Sequence, residues 1–207
     1  MESRKLVIVL TLLVFVLAST VVVLAAERHR GGSSTRVGSG HAVSVTRVTG
    51  PFAGVDVRAT AAVAVRTGAK TTVVVHGDDN IVPLIRTEIV GGTLVISDHG
   101  SYRTNAPLTV TVTTPTLTNA ALDGTGRLDL AGTASALDLR LAGTGLLDAR
   151  NLTSQTVRAL VAGTGTIRVT ARRLLDATVS GTGSIVYYGH PARVQTHVSG
   201  TGAVVGG

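Results

Sequence analysis

Two aspartates, Asp129 and Asp148, are the residues best placed for acid–base chemistry, because each stands five residues after the first glycine of a Gly-Thr-Gly triplet. If the triplet-bearing segments stack as neighbouring strands, the two carboxyl groups come to about 5 Å, near the separation a retaining glycosidase uses. The same position of the next segment holds Arg168. A guanidinium there would pair with Asp148 and depress its pKa, which spoils it as an acid, so the positions also read as a solvent-facing ladder of Asp, Asp and Arg. Other catalytic patterns are thin. His76 lies near Asp78 and Asp79, but Gly77 and Asn80 make that run a turn first, and His41, His99, His190 and His197 are isolated. The chain has no cysteine, which excludes thiol catalysis, disulfides and Cys-ligated metal sites. Neither a Gly-x-Ser-x-Gly elbow nor a phosphate loop occurs. No catalytic residue, metal site or cofactor is therefore assigned, and a polysaccharide-active enzyme using Asp129 and Asp148 is kept as an alternative.

The triplets themselves are the strongest signal. Gly-Thr-Gly recurs at 124–126, 143–145, 163–165, 181–183 and 200–202, so successive starts are 19, 20, 18 and 19 residues apart. A short fixed period marks a solenoid, in which each unit buries its apolar side on its neighbours. Aligned on the first glycine, the position two before reads Leu122, Leu141, Val161, Val179 and Val198, and the position four after reads Leu128, Leu147, Ile167, Ile185 and Val204. Five before, the residues are polar: Asn119, Asp138, Arg158, Asp176 and Gln195. Alternation of period two is the mark of half-buried strands, and stacking would set Asp138, Arg158 and Asp176 in an outer ladder of alternating sign. Each triplet turns a corner between two such strands. Thr125, Thr144, Thr164, Thr182 and Thr201 then form a row along one edge. Structurally, these threonines would hydrogen-bond each other or the turn backbone. Functionally, they would be a regular polar ridge for a polysaccharide or another solenoid.

The remaining sequence places this array. With 207 residues, 44% apolar and only 15% charged, the chain can bury a core and is not broadly disordered. Its net charge of +7 is scattered, and its 3 Tyr, 2 Phe and absent Trp leave no stacking platform, so nucleic acid is not an expected partner. Arg4-Lys5 precede an apolar run from Leu6 to Ala26, about 31 Å long as a helix and thus able to span a bilayer. Residues 1–26 are read as an N-terminal transmembrane anchor, with a cleaved signal sequence as the competing reading because Val23-Leu24-Ala25 offers small-residue spacing. Residues 27–42 read as a Gly/Ser-rich linker and 43–207 as the β-solenoid head domain. The expected location is the cell membrane, single-pass, with the C-terminal domain extracytoplasmic, or secreted if the leader is cleaved. Residues 43–118 lack the triplet but remain strand-rich, with turns at Gly77-Asp78-Asp79-Asn80 and Val90-Gly91-Gly92-Thr93.

These pieces together resemble a bacterial family, the putative auto-transporter adhesin, head GIN domain family. The resemblance covers about residues 43–205 and rests on Arg47-Val48-Thr49-Gly50-Pro51-Phe52-Ala53-Gly54-Val55, on Gly77-Asp78-Asp79-Asn80-Ile81-Val82-Pro83 and on Thr87-Glu88 leading to Gly92-Thr93-Leu94-Val95-Ile96. Val110 to Leu117 and the Gly-Thr-Gly series complete it. Here threonine stands where serine is common in the triplet, and the aspartate that often follows the second glycine is missing from all five copies. The resemblance implies an all-β, right-handed β-helix-like solenoid, exported and tethered to a cell envelope. Joined to the periodicity, it gives coils of about 19 residues and a non-enzymatic domain with a rigid surface for binding envelope components or for adhesion. The expected partners are cell-wall polysaccharide or another envelope protein. The ending Gly202-Ala203-Val204-Val205-Gly206-Gly207 supplies no polar cap, so a homo-oligomer through solenoid ends is a further expectation.

Overall fold

Strands dominate because the sequence alternates small or β-branched residues with polar ones and offers a Gly-Thr-Gly corner in each turn of its C-terminal half. The structure, a computed structural model, describes residues 35–207. The expected anchor over 1–26, and the linker as far as residue 34, lie outside them. Among the described residues no helix is long and apolar enough to cross a membrane.

The strands are β1 (Arg36–Val37), β2 (Ala42–Arg47), β3 (Gly54–Arg58), β4 (Ala62–Thr67), β5 (Thr72–Asp78), β6 (Ile85–Val90), β7 (Thr93–Asp98) and β8 (Tyr102–Arg103). Then follow β9 (Thr109–Thr114), β10 (Asn119–Gly124), β11 (Arg127–Gly143), β12 (Leu146–Gly163), β13 (Thr166–Gly181), β14 (Ser184–Tyr188), β15 (Arg193–Gly200) and β16 (Ala203–Gly206). One 3-10 turn, Val82–Leu84, separates β5 from β6.

Each turn of the solenoid has two faces. The first stacks β7, β3, β10, the C-terminal halves of β11, β12 and β13, and β15. The second stacks β9, β4, the N-terminal parts of β11, β12 and β13, then β14 and β16. All these pairings are parallel, and the register carries Leu122 onto Leu141, Val161, Val179 and Val198 in turn, as the triplet alignment requires. From Leu122 to Val179 and from Leu128 to Ile185 the inward residues are completely buried. Alternation thus becomes a continuous core of aliphatic rows, each row wetted by neither face.

The two ends differ. After β4 the chain leaves the stack, runs back through β5 and β6, and only then lays β7 and β9 between them and the β3/β4 rung. β5 and β6 are antiparallel to the strands they cover, and β2 adds antiparallel to β5. This reversed layer, with Ile81, Val82 and Ile85 buried, closes one end of the core. Thr114 Oγ1 donating to the Phe52 carbonyl at 2.9 Å, and the Thr118 amide donating to the Ala53 carbonyl at 2.8 Å, carry the chain across the β3/β4 rung into β10. At the far end β15 is exposed along all eight residues.

Part of the expected linker is structured. β1 pairs with β8, and Asp78, wholly buried, accepts the backbone N–H groups of Gly40, Asn105 and Ala106 at 2.7, 2.9 and 3.1 Å. Glycine and serine in this segment serve close packing: a Cβ on Gly38 would strike the Asp78 carboxylate. Residues 36–42, read as part of the linker, thus belong to the folded part of the described chain.

Candidate functional site: the threonine ridge and its arginines

The two glycines of each triplet have different reasons to be there. The first glycines, Gly124, Gly143, Gly163, Gly181 and Gly200, sit at φ between +117° and +129°, a region in which a side chain is strained. The second glycines face inward, and a Cβ on Gly145 would come 2.7 Å from the Gly126 carbonyl oxygen and 2.8 Å from Leu122 Cδ2. Corners so tight leave no room for a side chain between one triplet and the next. Their backbones join rung to rung, with the Thr144, Thr164 and Thr182 amides donating to the carbonyls of Gly124, Gly143 and Gly163 at 3.0, 3.0 and 3.1 Å.

The threonines between them point outward. Thr125, Thr144, Thr164, Thr182 and Thr201 are all exposed. Among the described residues no hydrogen bond joins their hydroxyls to one another or to the turn backbone, and the backbone amides join the rungs there. The carbonyls of the first glycines Gly124, Gly143 and Gly163 each accept two amides from the next rung. An open trough of about 550 Å³ runs along the row, lined by Thr125, Thr144 and Thr164 with Arg127 and Arg168 at its flank.

The row extends one rung further than the triplets show. Val57 pairs with Leu122 and Ala62 with Arg127, which sets Ala59-Thr60-Ala61 directly over Gly124-Thr125-Gly126. The signal was available, since Val57 and Val63 hold the positions two before and four after Ala59, as in every triplet. Thr60 differs from the others because its hydroxyl donates to Asp98 Oδ2 at 3.0 Å and lies 3.1 Å from the Tyr102 hydroxyl. Burial pushes the Tyr102 phenol up to about 12, so it remains a neutral donor to Asp98.

Asp129, Asp148 and Arg168 share one register row, as the spacing requires. Each carboxylate, however, is claimed by an arginine two residues away on its own strand. Arg127 grips Asp129 with two bonds of 2.7 Å, and Arg150 grips Asp148 through Nε at 2.9 Å and a second guanidinium nitrogen at 2.7 Å. Arg168 and Arg127 approach Asp148 at 3.6 and 3.9 Å. The Asp148 side chain is only 6% exposed. The Arg150 guanidinium, opposed by burial and helped by Arg168, holds its carboxyl below the ordinary carboxylate value. Such a group stays ionised and is a poor proton donor. Arg127 and Arg150 were not singled out from sequence, yet Arg-x-Asp and Asp-x-Arg on a strand put both groups on one face, and Asp56 and Arg58 repeat the pattern at 2.6 Å.

The outer ladder forms in part. Asp138, Arg158 and Asp176 are in register, and Arg158 Nε lies 3.5 Å from Asp176 Oδ2, both side chains being well exposed. Among the described residues Asp138 makes no ion pair. His76 is 3.0 Å from the Ser44 hydroxyl and Asp79 accepts from Ser39 Oγ at 2.6 Å, so the run at 76–79 fastens β2 and the segment before it rather than converging on a point.

An all-β solenoid built of two-faced turns, with hydroxyls in file along a corner, is the architecture into which the comparisons fall. The family described as "Putative auto-transporter adhesin, head GIN domain" matches residues 51–129 and 118–191, and this chain belongs to it. The family's description is that of an adhesion-type domain. A "putative adhesin" from Bacteroides fragilis NCTC 9343 is similar in structure, at TM-score 0.56 and 22% identity over 82% of this chain and 99% of that one. A "putative cell adhesion protein" from Clostridium sporogenes ATCC 15579 aligns at TM-score 0.39 and 10% identity, over 80% of this chain and 98% of that one. No curated protein matches the sequence at a significant level.

Proposed function

We propose that this is a membrane-tethered extracytoplasmic domain, wound as a right-handed solenoid, whose threonine ridge binds a repetitive polymer of the cell envelope such as a wall polysaccharide. The observation that carries the reading is the row of five exposed threonines, one per rung, three of which (Thr125, Thr144 and Thr164) line an open trough. Rungs about 4.8 Å apart offer hydroxyls at a constant spacing, and a polymer can meet many weak contacts at once on a surface that needs no ordering. Arg127 and Arg168 add donors at the flank. Retention of the full chain on immobilised wall polymer, compared with a Thr144→Val/Thr164→Val chain, tests it. Equal retention of the two would refute the ridge, and no retention of either would refute the polymer.

The second reading is a structural envelope protein that associates through the uncovered β15 end, favoured by the exposure of that whole strand. An enzyme using Asp129 and Asp148 is supported least, because both carboxylates are held by arginines and Asp148 is held ionised.

A further inference from the structure

Among the described residues, the rung that holds β15 leaves its inward face open. Leu175, Ala177 and Val179 are completely buried, but Val194 and Val198, which lie on Leu175 and Val179 in the next rung, are 37% and 43% exposed. β15 is also a sheet edge eight residues long, with no proline, lysine or acidic residue to blunt it.

We propose that β15 pairs with β15 of a second copy of this chain, antiparallel across a two-fold axis at Thr196, continuing one face of the solenoid into its partner. The sequence of the strand is self-complementary in that arrangement and in no neighbouring one. Its inward residues read Val194, Thr196, Val198, symmetric about Thr196, so each valine meets a valine and Thr196 meets itself. Its outward residues are Arg193, Gln195, His197 and Ser199, and the same register sets Arg193 against Ser199 and Gln195 against His197. A slip of two residues one way opposes Arg193 to His197, and a slip the other way opposes His197 to itself. Both bring basic groups face to face, while odd slips turn valines toward water. Valine-on-valine pairing therefore selects the register that closes the apolar row. An eight-residue strand covers less than the roughly 800 Å² per partner of a standard complex, so the pairing is weak in dilute solution and strengthened by confinement to a surface. It deepens the second reading above and is independent of the ridge.

The chain's lack of cysteine makes the test clean. Antiparallel residues directly opposite have Cβ atoms about 4.5–5.5 Å apart, within small adjustment of a disulfide. Full-length Thr196→Cys, purified in detergent and mildly oxidised, should run largely as a covalent dimer. Val48→Cys, wholly exposed in the segment that follows β2 of the closed end, should remain monomeric. Mixing Gln195→Cys with His197→Cys chains should give several-fold more dimer than either alone. Thr196→Glu should abolish non-covalent association at high concentration, and an equimolar mixture with Thr196→Lys should restore it. Dimer from Thr196→Cys no more abundant than from Val48→Cys overturns the proposal, as does equal yield from the mixed and separate Gln195 and His197 variants. Loss of polymer retention in the ridge variant with intact cross-linking would separate the two ideas.

Discussion

Three glycines of the ridge allow the cost of backbone conformation to be separated from the cost of close stacking, each by a single methyl group. Gly124 has φ +122° but nothing within 4 Å of where a Cβ would stand, because the Ala59 corner above it is shaped differently. Gly124→Ala should thus carry only the conformational penalty, about 1–3 kcal/mol, less up to about 1 kcal/mol from a stiffer unfolded chain. Gly145 is not in the left-handed region, yet its Cβ would meet the Gly126 carbonyl oxygen at 2.7 Å and Leu122 at 2.8 Å. Gly145→Ala should carry the overpacking penalty alone, again about 1–3 kcal/mol. Gly163 combines φ +129° with a Cβ 2.6 Å from the Gly143 carbonyl oxygen, so Gly163→Ala should cost about the sum, roughly 2–6 kcal/mol. Guanidinium unfolding midpoints of the three variants give the comparison, converted by the common slope. If Gly124→Ala costs as much as Gly163→Ala, or Gly145→Ala is neutral, then stacking of one corner upon the next is not what makes the triplet glycines necessary.

Thr144→Val and Thr164→Val should change stability by no more than about 0.5 kcal/mol, since neither hydroxyl has a protein partner; a loss above 1 kcal/mol in thermal unfolding would mean that the ridge is structural. Leu141→Ala, in a row with no exposure, should cost about 2–5 kcal/mol by chemical denaturation. Burial raises the Asp78 carboxyl, but the amides of Ala106, Asn105 and Gly40 outweigh it and hold the group below its ordinary value of 3.8. Its contribution is therefore complete above that value and lost as pH falls through the lower one of the folded chain. Acid unfolding should begin in that window, and Asp78→Asn should destabilise the chain at neutral pH while flattening that part of its acid profile.

The repeating half of the molecule was legible because its register is local to the period. Leu122 falls on Leu141 and Leu128 on Leu147 as alignment of the triplets requires. That each turn has two faces was not, since the corner at Gly132 carries no repeated motif: the bond there from the Thr133 amide to Thr67 Oγ1 occurs once among the described residues. The closed end was hidden for another reason. β7 and β9 come after β5 and β6 in the chain but lie beneath them in the stack, and an order of that kind depends on contacts between distant residues. The row of the ridge threonines was legible from the period, whereas the backbone bonds that join the rungs at the glycine carbonyls follow from φ values that no residue type dictates.

In the solenoid the backbone hydrogen bonds between rungs all lie along one direction, from the closed end, where Arg36 enters, toward β15. A load applied between those ends would pull on them head-on, and since each rung is held only by its neighbours, they would yield singly. Peeling one turn pays out the 19 residues between Val179 and Val198, or about 65 Å of extended chain. The domain is in that sense a shock absorber, able to lengthen in even steps while the turns behind the break stay wound.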